Sequence, residues 1–188
     1  MKKMISIIGD SKIEENGLKF RMAYEMGKAL VDNGYRVASG GLGGVMNAAF
    51  MGARSSAFYS EGDTVAILPM FDRKQANDSA DIVIATGLDI YRNVIVANSD
   101  AVIAVGGGAG TLAEMSNAWP LKRLMIAFSN VDGWSGKVAD TRLDHRIRYP
   151  EIEEDRVFGV TSADEAIAIL EKYLPLYTDS HYGIKTGD

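Results

Sequence analysis

Cysteine is absent from the chain, and histidine occurs only twice, at His145 and His181. The first absence removes disulfides, thiolate metal sites and a cysteine nucleophile. The second leaves a histidine-based metal centre without ligands, so no metal is expected. Proline is scarce as well, at four residues, and no Pro- or Ser-rich linker or internal repeat breaks the chain. No stretch approaches the ~20 consecutive apolar residues of a membrane span. The apolar run "MISII" that follows Lys2 and Lys3 stops at Gly9–Asp10, too short for the core of a signal peptide. A cytoplasmic protein without membrane contact is the expectation. Basic charge is also lacking, with a net charge of −5 and a pI near 5.1. An acidic total argues against a general nucleic-acid binder, because phosphate backbones need a basic face.

What is present is enough apolar material for one core. The 188 residues are 47% hydrophobic and 24% charged, which fits a single globular domain over residues 1–177 with a polar, frayed tail over 178–188. Short apolar runs alternate with helical patterns. Strands are expected at 4–9, 35–41, 64–69, 81–86, 100–107, 123–128 and 156–161. Helices are expected at 17–33, 44–57, near 90–98, at 110–119, near 132–140 and at 161–174. Leu18, Met22, Met26, Ala29 and Leu30 form the apolar stripe of the first helix, and Gly34 closes it. Ser162 and Glu165 are spaced as a capping box for the last. Strands that are apolar throughout are buried on both faces. The fold class is therefore α/β: a doubly wound, mainly parallel sheet of about seven strands, Rossmann-like, with helices on both sides.

In such sheets ligands sit beyond the carboxyl ends of the strands, and two glycine clusters fall there. "SGGLGGVM" (39–46) follows the second strand, and "GGGAGT" (106–111) follows the fifth. Glycine lets a ligand approach the backbone, and the helix that follows offers free N–H groups and the positive end of its dipole. A phosphate can be held there without any lysine, with the Thr111 hydroxyl as a further donor. The other reading stays open. Thr111 and Glu114 are also spaced as a capping box, with the glycines making only a tight turn. Neither cluster is a Walker A loop, and the first strand-to-helix turn, "GDSKIEENG" (9–17), lacks G-x-G-x-x-G. An ATPase or a standard NAD site is disfavoured. Arg92 lies in the helix before the fifth strand. It would reach the same edge as Glu114 if that helix begins there; otherwise it is a solvated helix charge.

These residues carry a resemblance. Arg92-Asn93, "NSDAVIAV" (98–105) and "GGGAGTLAE" (106–114) resemble the LOG (Lonely Guy) family, often labelled lysine-decarboxylase-like, and its relatives the molybdenum-cofactor carrier proteins. "SGGLGGVMNAA" (39–49) resembles the family's other glycine turn, and "DRKQAN" (72–77), "ATG" (85–87) and "YRN" (91–93) are closer to the carrier-like branch. The resemblance implies a Rossmann-type homo-oligomer, commonly a dimer. It also implies hydrolysis of the N-glycosidic bond of a nucleoside 5′-monophosphate, giving base and ribose 5-phosphate. Arg92 and Glu114 would be the catalytic pair. Gly106, Gly107, Gly108, Gly110 and Thr111 would hold the phosphate, with Gly40, Gly41, Gly44 and Met46 from the other turn. Two positions depart from the LOG pattern: Gly106 stands in place of Pro, and Asn93 in place of Lys. The alternative reading is a non-catalytic carrier or sensor of a phosphorylated pterin or nucleotide such as molybdenum cofactor. A third is an interaction protein with no nucleotide affinity. No cofactor is required by any of them.

Further candidates have two readings each. Asp72 and Arg73 line the ligand cleft or pair with each other. Asn77 reads a ligand edge or caps a turn, and Asn93 belongs to the possible cleft. Asp89 is the nearest second carboxylate to the proposed pair. "RLDHRIR" (142–148), with Arg142, His145, Arg146 and Arg148, closes over an anion, makes subunit contacts or is a solvated loop. Trp119 and Trp134 read as core or interface, and Met22, Met26, Met46 and Met51 as packing.

Overall fold

The computed structural model describes residues 1–179 and 181; most of the expected tail lies outside them. Seven strands form one sheet: β1 (Met4–Gly9), β2 (Arg36–Ser39), β3 (Thr64–Leu68), β4 (Ile82–Ala85), β5 (Ala101–Val105), β6 (Leu124–Phe128) and β7 (Val157–Val160). The helices between them are α1 (Leu18–Asp32), α2 (Val45–Arg54), α3 (Asn93–Ala97), α4 (Ala109–Ala118), α5 (Trp134–Val138) and α6 (Ala163–Tyr173). The order is β4-β3-β2-β1-β5-β6-β7, and every pairing is parallel. The chain winds outward from β1 to β4, then returns to lay β5 against the other side of β1, with Ile5 opposite Ala101 and Gly9 opposite Val105. That reversal opens a crevice at the carboxyl ends of β1 and β5.

Strand periodicity sorts the core into two layers. Ile5, Ile7, Ala101, Ile103 and Val105 face α1, α2 and α6. Ile8, Val102 and Ala104 face α3 and α4, packing with Val96, Met115 and Trp119. Helix α1 ends as expected: Gly34 has φ +78°, its N–H reaches Val31 O, and the Tyr35 N–H reaches Leu30 O. This is the paired bond pattern of a Schellman stop. Ser162 caps α6 by accepting from the Glu165 N–H, whereas the Glu165 carboxylate accepts from the Thr161 N–H at 2.6 Å, one residue earlier than a capping box requires.

Three expectations shift. The helix near 90–98 is a 3-10 turn, Asp89–Arg92, running into a single turn of α3. Leu18 and Met51 are exposed, at 45% and 40%; Leu18 sits in the first turn of α1 beside an open cavity. The 141–155 loop lies at the opposite edge of the sheet from the glycine turns. There Arg148 is buried, donates to the carbonyls of Trp119 and Arg123, pairs with Asp155 and lies 3.6 Å above the Trp119 ring. His145, Arg142 and Arg146 remain exposed.

Among the described residues, one part of the sheet is left open. On β4, Val83 packs inward, but Ile82 and Ile84 are 43% and 46% exposed. Ile90, Tyr91, Val94 and Ile95 are also exposed.

Candidate active site

Strands β1, β2 and β5 end at one crevice, and each delivers a loop to it. A cleft of about 300 Å3 lies between them, lined by Gly9, Asp10, Ser11, Gly40, Leu42, Met46, Arg92, Asn93, Gly108, Gly110, Thr111 and Glu114. Arg92 and Glu114, 22 residues apart, meet there: Arg92 Nη1 donates to Glu114 Oε1 at 2.9 Å. Both side chains are about nine-tenths buried. Burial pushes the Glu114 carboxyl up to about 7, against the opposing pull of Arg92. Among the described residues, the Arg92 Nε–H has no partner.

The pair depends on a glycine. A Cβ at Gly40 would lie 2.6 and 2.7 Å from the two terminal nitrogens of Arg92 and 2.8 Å from Met46 Sδ. Bare backbone at residue 40 is what lets the guanidinium lie flat beside Glu114. Gly40→Ala should therefore displace Arg92, remove the main force holding the carboxyl down, and move the Glu114 titration above about 7. Carboxyl-carbon NMR checks this; an unchanged midpoint would refute it.

The turn after β5 divides into two parts. Gly106 and Gly107 have φ of +66° and +97°, a region that glycine enters without strain. Their N–H groups are engaged: Gly106 donates to Ser135 Oγ at 2.7 Å and Gly107 to Asp10 Oδ2 at 2.9 Å. The expectation that the whole run offers amides is corrected here. Helix α4 begins at Ala109 with Gly108 as its cap. Among the described residues no protein acceptor takes the N–H of Gly108, Ala109, Gly110 or Thr111. A Cβ at Gly108 or Gly110 would meet nothing within 4 Å, so protein packing does not require glycine at either position. The capping-box alternative fails, because Thr111 is already inside the helix and Glu114 faces Arg92 instead.

Other expected residues are placed elsewhere. Gly41 backs onto Ala66, and Gly44 onto the Asp10 carbonyl. Asp72 caps its own 3-10 turn by accepting from the Lys74 N–H; it and Arg73 are exposed, away from the cleft. Asn77 is a staple behind the site, donating Nδ2 to Leu42 O and its N–H to Gly41 O. Asn93 does line the cleft, but Asp89 does not. The carboxylate that sequence reasoning missed is Asp10, and with it Lys19, whose Nζ lies 2.7 Å from Asp10 Oδ2 and 3.0 Å from Asp132 Oδ1. Both stand in "GDSKIEENGLK" (9–19), a turn whose lack of the dinucleotide glycine pattern drew attention from its charges. A lysine does stand beside this turn: a Cβ at Gly106 would fall 2.9 Å from Lys19 Nζ. A proline ring at 106 would meet the same obstacle, and proline cannot adopt φ +66°.

Relatives carry similar chains. An uncharacterised protein of Archaeoglobus fulgidus is 44% identical over 115 residues, 61% of this chain and 72% of that one. The cytokinin riboside 5′-monophosphate phosphoribohydrolase of Mycobacterium tuberculosis is 37% identical over 102 residues, 52% of each chain, so the match spans about half of that enzyme. Among solved structures, the molybdenum cofactor binding protein of Rippkaea orientalis superposes with a TM-score of 0.73 at 28% identity, covering 91% of this chain and 96% of the other. The molybdenum cofactor carrier protein of Chlamydomonas reinhardtii gives 0.71 at 27%, covering 93% and 99%. A family model matches residues 2–167, a span that holds the parallel sheet, both glycine turns and the Arg92–Glu114 couple, and the chain belongs to the SLOG cluster4 family.

Proposed function

We propose that the cleft binds a nucleoside 5′-monophosphate and hydrolyses its N-glycosidic bond, releasing base and ribose 5-phosphate. The observation that carries this is the juxtaposition of a buried Arg92–Glu114 pair with a run of four amides that have no partner among the described residues, Gly108, Gly110 and Thr111 of that run lining the same cleft. The phosphate sits on the N–H groups of Gly108, Ala109, Gly110 and Thr111, where amides and helix dipole favour an anion. Departure of the base leaves a cation-like sugar. The Glu114 carboxylate stabilises that charge or orients the attacking water, and Arg92 holds Glu114 and the ligand in register. Asp10, not Asp89, is the second carboxylate of the cleft. The test is incubation of the pure protein with a panel of nucleoside monophosphates, with chromatographic detection of free base and ribose 5-phosphate. No release across the panel would reject the hydrolase.

A second reading is a non-catalytic carrier of a phosphorylated pterin or nucleotide such as molybdenum cofactor. Two observations favour it: the uncharged Asn93 where LOG proteins carry Lys, and a further cavity of about 420 Å3 that shares Asp10 with the cleft. Tight binding without release is its signature.

Under either reading, the exposed face of β4 and α3 fits self-association. Ile84, Tyr91 and Ile95 are exposed apolar groups, and Tyr91 and Ile95 flank the cleft residues Arg92 and Asn93. A second copy of the chain buries them as a homodimer. Ile84→Lys combined with Tyr91→Glu should convert the dimer to monomer in sedimentation velocity; a wild-type monomer at micromolar concentration would refute the assignment.

A further inference from the structure

Asp10 has a role that hydrolysis of the glycosidic bond does not need. Its Oδ2 accepts the Gly107 N–H, and the partnerless amides begin at the next residue, Gly108. The anion-receiving turn is thus closed at one end by a carboxylate. Asp132 lies behind it, and Lys19 bridges the two. We infer that Asp10 is a specificity-determining residue, restricting the turn to a single terminal phosphate and excluding a diphosphate.

The inference rests on the phosphate assignment above and concerns what the turn refuses. A diphosphate can enter in two registers. In the first, its inner phosphate takes the amides of Gly108–Thr111, and the outer phosphate extends toward Gly107, where the N–H is already taken and the Asp10 charge repels it. In the second, the outer phosphate takes the amides, and the sugar is pushed away from Arg92 and Glu114 by one phosphate length. The first register fails on charge and the second on reach. Lys19 moderates the repulsion: its Nζ meets the same Asp10 Oδ2 that accepts the Gly107 N–H and neutralises part of that charge, so one phosphate is tolerated and a second is not. Like charges brought together out of water discriminate strongly between ligands.

Calorimetry with AMP, ADP, inorganic phosphate and pyrophosphate tests this on wild type, Asp10→Asn and Lys19→Met. Asn keeps an oxygen to accept the Gly107 N–H while losing the charge. Wild type should favour AMP over ADP, and phosphate over pyrophosphate, by about tenfold or more. Asp10→Asn should narrow both ratios to within about threefold, and Lys19→Met should widen them while weakening AMP. Opposite signs in the two variants mark an electrostatic role; thermal melts check that both are folded. Ratios unchanged in Asp10→Asn, or equal losses of mono- and diphosphate in both variants, would overturn the inference and leave the phosphate site standing. A wild type that binds none of the four ligands would overturn the phosphate assignment and this inference together.

Discussion

Glu114→Gln should lower the release of base from a nucleoside monophosphate by roughly 10²–10⁴-fold, while binding of ribose 5-phosphate changes only a few-fold. Glutamine keeps the shape and an acceptor for Arg92 Nη1, so the pair's geometry survives. It cannot carry the negative charge that a cation-like sugar draws on. The same group sets the pH profile. Burial holds the Glu114 carboxyl at about 7 despite Arg92, and the working form is the carboxylate. The rate should therefore rise with pH through about 7, falling roughly tenfold per unit below it. Stability runs the other way. Between the ordinary carboxylate value of 4.5 and about 7, the folded protein holds a proton that the unfolded chain has released. Stability is fully present below 4.5 and declines as pH rises through that window. Glu114→Gln should flatten this part of the stability curve in denaturant titrations. A rate that falls as pH rises through 7 would reverse the assignment, making Glu114 a proton donor.

The largest effect on stability is expected far from the cleft. Arg148→Ala should cost about 3–5 kcal/mol, which lowers the melting temperature by roughly 10 °C in a chain of this size. Arg148 and Asp155 are almost wholly buried. Arg148 Nε donates to Asp155 Oδ2 at 2.9 Å, and Asp155 Oδ1 also accepts from the Tyr177 hydroxyl at 2.6 Å. Removing the guanidinium strands the carboxylate without its counter-charge and deletes the plane stacked on Trp119. Arg148→Met with Asp155→Leu should recover most of the loss, because the penalty comes from the orphaned charge. If the single variant melts within 2 °C of wild type by calorimetry, the pair is not the clamp described.

The residues made the fold legible because its strands are apolar throughout and its helices carry apolar stripes; all seven strands and five of the six helices fall where they are expected, while 90–98 divides into a 3-10 turn and the short α3. The meeting of Arg92 with Glu114 rested on a resemblance, since no local pattern says that a helix before β5 presents its first turn to the helix after it. Charge was hardest to place. Arg148 shares a loop with the exposed Arg142 and Arg146, and nothing local tells the buried guanidinium from the solvated ones. Asp10 and Lys19 were hidden for a related reason: their partners, Gly107 and Asp132, are remote in sequence. Thr111 and Glu114 fit a capping pattern that the backbone declined, because Gly108 had already started the helix.

The seam between β1 and β5 joins residues 97 apart at Asp10 and Gly107. Neither half of the chain carries a site alone. During synthesis nothing can be recognised until the ribosome has passed Glu114, and the turn keeps an unanswered amide until Ser135 emerges to accept from Gly106. Any molecule that then occupies the crevice holds the two halves together and adds its binding free energy to theirs. Ligand occupancy is in that sense a readout of whether the sheet has been completed.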